Sequence, residues 1–495
     1  MRTLKYASSP ELPTDQVRNH NKMNYASAST LSRQIADREI SCTELMQDTL
    51  DNIERINPVY NAIVSISDHS MLLTQAREAD SALAKGEYRG WMHGFPHAIK
   101  DLANCEGYVT SCGSPLLANN VAGDDAIFTR RIREAGAIFI GKTNVPEFGL
   151  GSQSYNTLHG STRNAFNPAL CAGGSSGGAA VALALDLLPV ADGSDMMGSL
   201  RNPAAYNNVV GFRPSLGRVP KSEGDLFTGS LSTEGPMGRH VEDVIKLFLT
   251  MAGPDTRSPL SWRGNPGSPE EYKPLSLEHK SIGWLADLGG HLSTEAGLLP
   301  LCEGALQSLG STGIHIEHSH LEFNMEALWD CWITLRQWGL TNSPNRLFKN
   351  PKTRIQLKPE VQWELDQAET ITTDRLALAF DTRSRWYQTI NSAFGQYDFL
   401  ALPSAQVFPF DVAQHWPAEI EGRKMSTYHQ WMEVVIGGTL SGCPVISLPA
   451  GLDDQHRPMG IQFIAPIGED RKLLEFALAY EETLPWQDAY AQTGK

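Results

Sequence analysis

Cysteines are few in this chain, and none is placed to pair or to bind a metal. The seven cysteines are scattered over 495 residues, without a Cys-x-x-Cys pair, a Cys/His cluster or a regular disulfide spacing. An odd, scattered set is typical of reduced thiols, so we expect a cytoplasmic protein. The sequence also lacks an HExxH helix and clustered metal ligands. We therefore expect no metal and no cofactor.

Long apolar runs and clustered positive charge are missing as well. The longest apolar run, residues 179–191, is interrupted by Asp186 and Pro189 and is shorter than the roughly 20 residues that a membrane span needs. The N-terminus lacks the basic-then-apolar order of a signal peptide. The formal net charge is −15, and phosphate contacts need clustered Lys and Arg. We expect neither a membrane nor a nucleic acid as partner.

The length of the chain suits one large α/β domain. Residues 1–24 are polar and unpatterned and are predicted to form a flexible arm. Residues 25–495 are predicted to form a single domain with a variable middle region at about 255–395. That region opens with a Pro/Gly/Ser-rich loop and continues with Trp-rich helical segments.

Alternating helical and extended patterns predict the fold class. Ser41 and Glu44 form a capping box that predicts a helix start, and Pro58 is predicted to end that helix. Further helices are predicted over 125–135, 177–187, 326–339 and 473–484, and strands over 137–140, 188–191, 399–403 and 445–449. Such alternation indicates an α/β layered fold.

Residues 136–143 match the phosphate-binding pattern GxxxxGK[ST]. That chemistry needs a loop whose backbone N–H groups surround phosphate, followed by a helix. Here the four intervening residues are Ala-Ile-Phe-Ile, which favour a strand, and Pro146 stands where a helix would begin. Nucleotide binding is therefore not expected.

Residues 174–178 match the GxSxG pattern of α/β-hydrolases, with Ser176 as nucleophile. The pattern requires an apolar strand just before the serine, whereas residues 163–172 have the composition of a loop. His240 and His415 lie downstream, but neither has the setting of a catalytic base. An esterase that uses Ser176 stays a remote alternative.

A third arrangement combines three segments of the chain. Lys100 ends a short apolar run, Ser175 lies in the glycine-rich segment 173–178, and Ser199 ends the segment 193–199. In this order and spacing, the segments resemble those of the amidase signature family. Further stretches that resemble the family are 141–148, 211–218, 441–451 and 460–462. The resemblance covers most of the chain and implies an α/β fold, with a twisted mixed β-sheet core flanked by helices.

The resemblance also implies catalytic roles for three residues. Ser199 would attack the carbonyl, Ser175 would relay the proton, and Lys100 would be the base and later the acid. A lysine can serve as base only if its pKa falls well below about 10.4, which burial can achieve. In the family, the serine at the position of Ser175 follows a cis peptide bond. Ser176 is interpreted as a packing hydroxyl.

The oxyanion hole implied by the resemblance consists of backbone N–H groups of residues 196–199, namely Met196, Met197, Gly198 and Ser199. The family usually has Asp-Thr-Gly-Gly-Ser where this chain has Asp-Met-Met-Gly-Ser. Backbone donors survive this change, but a backbone angle that favours glycine would be lost. Asp195 and Arg201 are expected to hold the loop by charge-assisted hydrogen bonds.

The acyl pocket implied by the resemblance involves Gly149, Leu150 and Gly151. The middle region would supply the outer wall, and its candidate wall residues are Trp329, Trp332, Trp338 and Trp363. Leu328, Trp332 and Leu335 fall at helical spacing, so a core-facing stripe is the alternative. Both interpretations stay open at this point.

Together these features predict an amidohydrolase that cleaves a carboxamide C–N bond through an acyl-enzyme on Ser199. We expect small-molecule amides with apolar or aryl groups as substrates, and a homodimer would be usual for amidases of this type. The main alternative is the glutaminase (A) subunit of a tRNA-dependent amidotransferase, which shares fold and triad but needs partner chains. An inactive binding scaffold is a remote alternative, because all three reactive residues are present.

Overall fold

The computed structural model describes residues 25–341 and 346–493. The predicted arm, residues 1–24, lies outside the described residues. The α-helices are α1 Ala28–Ala36, α2 Cys42–Tyr60, α3 His69–Ala84, α4 Ile127–Glu134, α5 Gly177–Ala184, α6 Arg201–Tyr206, α7 Val241–Met251, α8 Leu298–Gly310, α9 Met325–Thr341, α10 Arg346–Lys349, α11 Pro351–Arg354, α12 Pro359–Ala368, α13 Thr373–Ala393, α14 Ile436–Ser441 and α15 Asp470–Thr483. Short 3-10 helices span Pro115–Leu117, Glu147–Gly149, Pro269–Glu271, Gln430–Val435 and Gln487–Gln492.

The strands form one large sheet and three small ones. Their bounds are β1 Ile63–Val64, β2 Pro96–Lys100, β3 Ile138–Thr143, β4 Tyr155–Asn156, β5 Gly160–Ser161, β6 Val190–Asp195, β7 Val210–Arg213, β8 Thr233–Gly238, β9 Ser281–Trp284, β10 His315–His318, β11 Phe399–Pro403, β12 Glu419–Ile420, β13 Arg423–Lys424, β14 Val445–Leu452 and β15 Pro458–Ile464. The large sheet has eight strands in the order β10-β9-β11-β15-β14-β7-β8-β6. Its β9 pairs in parallel with β10 and β11, and the other neighbours are antiparallel.

Helices pack on this mixed sheet and bury its apolar side chains. Helices α6, α8 and α15 contact β14, and α7 contacts β6, β7 and β8. Most side chains of the central strands β7, β11, β14 and β15 are fully buried, as expected for strands covered on both faces. The predicted fold class, a mixed sheet flanked by helices, is confirmed.

The capping box at Ser41 is present and begins α2, but the predicted end of this helix at Pro58 is wrong. The helix continues to Tyr60, and Asn61 then adopts the left-handed conformation with φ +52°. Pro58 lies in the last turn, where its missing N–H removes a single hydrogen bond. Asn61 donates its own N–H to the carbonyl of Asn57 at 2.7 Å, so the last turn still closes.

A small three-stranded sheet, in the order β1-β3-β2, lies beside the edge strand β6 of the large sheet. The backbone N–H of Lys100, the last residue of β2, donates to Asp192 Oδ2 on β6 at 3.1 Å. Asp192 Oδ1 lies 3.0 Å from His97 Nε2, and both side chains are buried. This contact fixes the end of β2 against β6 and carries the Lys100 side chain toward the segments that follow β6.

Helix α5 begins directly after Ser176 and is buried along its whole length. Its apolar composition on every face suits a helix enclosed by other elements. A Cβ at Gly178 would lie 2.3 Å from the backbone nitrogen of Asn144 and 2.5 Å from the carbonyl of Ala62. Glycine is therefore needed here for close approach between backbones, and this packing places Ser175 and Ser176 beside the end of β2.

Candidate active site

Lys100 is the centre of a buried group of hydroxyls. Its side chain is 1% exposed, and Nζ lies 2.9 Å from Ser175 Oγ, 2.7 Å from Ser176 Oγ and 2.9 Å from Ser194 Oγ. Nζ also donates to the carbonyl of Ser194 at 3.2 Å. These contacts hold the amine in one position against the hydroxyl of Ser175.

The surroundings of Lys100 make it a weak base by the standard of lysines. Burial, which disfavours the charged form, lowers the pKa of Lys100 from 10.5 to about 8. The carboxylates of Glu234, Asp192 and Asp195 act in the opposite direction but do not cancel the effect of burial. A large fraction of Lys100 is therefore neutral at slightly alkaline pH, when it can accept a proton.

The Gly174–Ser175 peptide bond is cis, as the resemblance implies. The N–H of Gly174 donates to Asn202 Oδ1 at 3.0 Å, and the N–H of Ser176 donates to the carbonyl of Ser199 at 3.2 Å. These bonds connect the glycine-rich segment to the loop that carries Ser199, and both Ser175 and Ser199 line the same cavity.

An ion pair organises the loop before Ser199. Arg201 donates through Nε and Nη2 to the two carboxylate oxygens of Asp195, each at 2.9 Å, with both side chains fully buried. Asp195 also accepts the N–H of Gly198 at 2.9 Å and that of Leu200 at 3.2 Å. Burial alone would raise the pKa of Asp195, but the charge and hydrogen bonds of Arg201 outweigh it and lower the pKa. The carboxylate thus stays ionised and shapes the loop.

The backbone N–H groups of this loop differ in their availability. Among the described residues, the N–H groups of Met196, Met197 and Ser199 have no hydrogen-bond acceptor, whereas the N–H of Gly198 is held by Asp195. Gly198 has φ +74°, and neither methionine has a positive φ. The Met-Met departure from the family pattern therefore places no side chain in the left-handed region. Neither methionine takes up a backbone angle that favours glycine.

Most of the predicted site residues line one cavity of about 100 Å³. Lys100 and Gly198 do not line it, but Lys100 contacts the lining residue Ser175. The lining residues that the sequence predicted are Gly149, Leu150, Gly151, Ser175, Met196, Met197 and Ser199. The lining residues that it did not predict are Leu102, Phe148, Ser152, Ser194, Ser232, Arg336 and His429.

Arg336 and His429 come from parts of the chain that contain no family motif. Residues 331–337 of α9 are all buried, and Arg336 is the one charged residue among them. A lone charge within a buried apolar run is the sequence signal that could have marked it, since such charges need a partner or a function. His429 precedes a 3-10 helix and carries no comparable signal.

The tryptophans of the middle region serve both the core and the cavity walls. Leu328 and Trp332 are buried in the core, at 2% and 0% exposure. The rings of Trp329, Trp332 and Trp363 surround the imidazole of His429, with centroid distances of 5.5, 5.0 and 5.9 Å. Leu335 and Trp338 line a second cavity. Of the four candidate wall tryptophans, only Trp338 therefore lines the catalytic or the second cavity, whereas Trp329, Trp332 and Trp363 line neither of them.

The structure does not support the two misleading motifs. Residues 138–143 of the phosphate-binding pattern form the buried strand β3, so no loop is available to surround phosphate. Ser176 is fully buried, is absent from the cavity wall and follows a segment without strand structure. Its hydroxyl contacts Lys100 from the interior, which suits packing.

This combination of a mixed sheet flanked by helices and a buried lysine bonded to a serine after a cis peptide bond defines a class of hydrolase. It is the class of amidases that act on linear amides and contain a Ser-Ser-Lys triad. The Amidase family profile matches residues 44–474. The chain therefore belongs to the amidase signature family.

This chain is similar to proteins that carry different names. It is 30% identical to the acylamidase of Rhodococcus erythropolis, over 94% of this chain and 97% of the relative. It is also 30% identical to the A subunit of the glutamyl-tRNA(Gln) amidotransferase of Coxiella burnetii, over 94% and 98%. A bacterial aryl acylamidase structure superposes with a TM-score of 0.89 at 27% identity, over 94% of this chain and 98% of that one.

Catalysis is expected to be insensitive to chelators. In residues 25–341 and 346–493, no group of three or more His, Cys, Asp or Glu side chains is arranged to hold a metal ion. Prolonged dialysis against a strong chelator should leave kcat/KM unchanged. Activity that is lost on dialysis and returns only with added zinc would contradict this prediction.

Within residues 25–341 and 346–493, the helices are all too short or too polar to cross a membrane.

Proposed function

We propose that this protein hydrolyses apolar or aryl carboxamides through an acyl-enzyme on Ser199, with Lys100 as base and Ser175 as proton relay. The observation that carries the proposal is the contact of 2.9 Å between Lys100 Nζ and Ser175 Oγ, at the wall of the cavity that Ser199 also lines. A serine needs a positioned base to act as nucleophile, and burial lowers the pKa of Lys100 so that its neutral, proton-accepting form is populated.

The reaction would proceed in two stages. Neutral Lys100 takes the hydroxyl proton of Ser175, and Ser175 takes the hydroxyl proton of Ser199. At the same time the oxygen of Ser199 attacks the carbonyl carbon. The N–H groups of Met196, Met197 and Ser199 are the free donors for the oxyanion, and such donors are each worth about 10²–10³ in rate. Collapse breaks the C–N bond, and the proton returns through Ser175 to the leaving amine. Water then hydrolyses the acyl-enzyme by the same relay.

The shape of the site supports apolar substrates. The catalytic cavity shares Phe148, Leu150 and Met196 with a second cavity of about 250 Å³. The further apolar side chains of that second cavity are Leu231, Leu335, Trp338, Leu340 and Phe380. An alkyl or aryl group attached to the scissile carbonyl could extend into this space. The names of two relatives, acylamidase and aryl acylamidase, agree with this choice.

The catalytic cavity does not suit glutamine, the substrate of the alternative function. Glutamine carries an ammonium group, whose burial is costly without an anionic partner. Among the described residues, no Asp or Glu lines the catalytic cavity, and the acidic residue of the second cavity, Asp225, lies in an exposed loop. This absence favours the amidase over the glutaminase alternative.

A substrate series tests the proposal. We expect kcat/KM to rise from acetamide and acetanilide to butyranilide and hexananilide, because each methylene that enters an apolar pocket contributes about 1–3 kcal/mol. Leu335→Asn should reduce kcat/KM for hexananilide more than kcat/KM for acetanilide. Glutamine or acetamide as the best substrate would contradict the apolar pocket.

We further infer that residues 25–495 act as one domain. Strands β9 and β10 belong to the middle region, yet they join the same sheet as β11, β14 and β15. Helices α9 and α12 of that region contribute to the site itself, through Arg336 and the residues that contact it.

A further inference from the structure

Arg336 stands where the two cavities meet. It lines both the catalytic cavity and the second, apolar cavity, and its side chain is 5% exposed. Among the described residues, the other ionisable side chain of the catalytic wall is that of His429, which burial keeps neutral by lowering its pKa. In the described part of the chain, Arg336 is thus the permanent charge on the wall of the catalytic cavity.

Two of the three nitrogens of the Arg336 guanidinium, Nε and Nη2, have oxygen atoms as hydrogen-bond partners. Its Nε forms an ion pair with Glu364, and Nη2 donates to the hydroxyl of Tyr428 at 2.8 Å. The aromatic ring of Trp332 lies 5.3 Å from the guanidinium carbon. These contacts lock the orientation of the planar group. Among the described residues, the one hydrogen-bond partner of the remaining nitrogen, Nη1, is the thioether of Met196, at 3.4 Å.

A thioether is a weak acceptor, and a guanidinium carries five donors. Nη1 therefore keeps hydrogen-bonding capacity that the described residues do not use well. Met196 belongs to the loop whose N–H groups would hold the oxyanion, so Nη1 lies beside the path from the scissile carbonyl to the second cavity.

We propose that Nη1 of Arg336 selects substrates by donating a hydrogen bond to an uncharged oxygen in the acyl chain, such as a ketone or ether oxygen a few bonds from the scissile carbonyl. The inference rests on the proposed function and names a subclass of its substrates: apolar acyl groups that carry one neutral acceptor. Arg336 acts here as a substrate-binding residue.

The charge of the surroundings argues for a neutral acceptor over a carboxylate. Glu364 is fully buried and already neutralises Arg336, and its second oxygen, Oε2, has no hydrogen-bond partner among the described residues. A substrate carboxylate would add a second negative charge beside Glu364, and the guanidinium of Arg383, which also lines the second cavity, is already held by Leu440 and Ser230. Because uncompensated buried charge is costly, the acid should bind worse than the ketone of the same shape.

Three anilides of matched shape test the proposal on the wild-type enzyme. They are 4-methylpentananilide, 4-oxopentananilide and N-phenylsuccinamic acid, which present an alkyl chain, a ketone and a carboxylate. We expect the ketone to have the highest kcat/KM, with the acid at least tenfold lower. The acid as the best substrate, or a ketone no better than 4-methylpentananilide, would overturn the proposal.

A variant separates the hydrogen bond from the intrinsic reactivity of the substrates. In Arg336→Met/Glu364→Gln, the donor is removed and no carboxylate is left buried without a partner. The ratio of kcat/KM for 4-oxopentananilide to that for 4-methylpentananilide should fall by about ten- to a hundredfold, the range for a hydrogen bond to a charged group. Electronic effects of the ketone are the same in both enzymes and cancel in this comparison.

Arg383 provides the matched control. It also lines the second cavity, but its donors are used by the carbonyls of Leu440 and Ser230 and by the hydroxyl of Ser230. Arg383→Gln should therefore keep the wild-type ratio. If Arg383→Gln lowers the ratio as much as the Arg336 variant, the selection by Nη1 is wrong.

The two proposals fail in different ways. If no anilide is hydrolysed and a fluorophosphonate does not label Ser199, the proposed function itself is wrong. If all three anilides are hydrolysed and their ratios do not depend on Arg336, only the inference about Arg336 is wrong.

Discussion

Ser199→Ala should reduce anilide hydrolysis to near background, a loss of several orders of magnitude, as is typical when a triad nucleophile is removed. The substitution deletes only the hydroxyl oxygen of a residue that lines the catalytic cavity. The carbonyl of Ser199 still accepts the N–H of Ser176, and the ion pair between Asp195 and Arg201 still shapes the loop. A loss of activity with an unchanged melting temperature would therefore report on chemistry.

Labelling by a fluorophosphonate, located by mass spectrometry, identifies the nucleophile directly. We expect the adduct on Ser199 in the wild type and no adduct in Ser199→Ala. Ser232→Ala is a suitable control, because Ser232 lines the same cavity without contacting Lys100 and should keep the label on Ser199. An adduct on Ser175 or Ser176 would overturn the assignment, and one on Ser176 would revive the esterase alternative.

The grouping of Lys100, Ser175 and Ser199 could be predicted only from the resemblance to the amidase signature family, because each residue lies in a local segment that can be compared with the segments of that family. Glycine-rich turns and short apolar strands are local features, and the order of three such segments is visible in the sequence. The same holds for the capping box of α2, which requires only Ser41 and Glu44. The prediction at Pro58 is wrong because a proline removes one backbone hydrogen bond and crowds the preceding turn, which can kink a helix without ending it.

The role of Arg336 could not be predicted, because its contacts are distant in sequence. Its Nη1 meets Met196 across 140 positions, and its Nη2 meets Tyr428 across 92. No local pattern records such contacts, since they arise from the packing of α9 against the loop after β6. The backbone N–H of Gly198 is another example. The resemblance implies that this N–H faces the oxyanion, but it donates instead to the carboxylate of Asp195.

Lys100→Ala should lower kcat/KM by about 10²–10⁴, the usual cost of losing a general base. The remaining enzyme lacks the amine that takes the proton of Ser175, and no second base contacts that hydroxyl among the described residues. Turnover above about a tenth of the wild-type value would show that the base is misassigned. Ser176→Ala is the matched control: it removes another hydroxyl that contacts Nζ but should retain the acyl-enzyme.

The pH profile of kcat/KM gives a second test of Lys100, because this profile reports the pKa values of the free enzyme. In the proposed mechanism neutral Lys100 is the active form, and burial lowers its pKa to about 8. Activity should therefore be low at pH 6, rise through pH 8 and level off above it. An ordinary lysine would place the rise near 10.4. Loss of activity as the pH rises through 8 would contradict a lysine base.

An ion pair near the site allows the pH at which kcat/KM rises to be shifted in both directions. Glu234 and Lys221 lie 3.0 Å apart; the carboxylate raises the pKa of Lys100, whereas the ammonium lowers it. Glu234→Gln should therefore shift the rise in kcat/KM to lower pH, because the charged form of Lys100 loses a favourable neighbour. Lys221→Gln should shift it to higher pH, and the double variant should lie between them. Since one base that feels both charges must respond with opposite signs, shifts in the same direction would exclude Lys100 as the group that titrates.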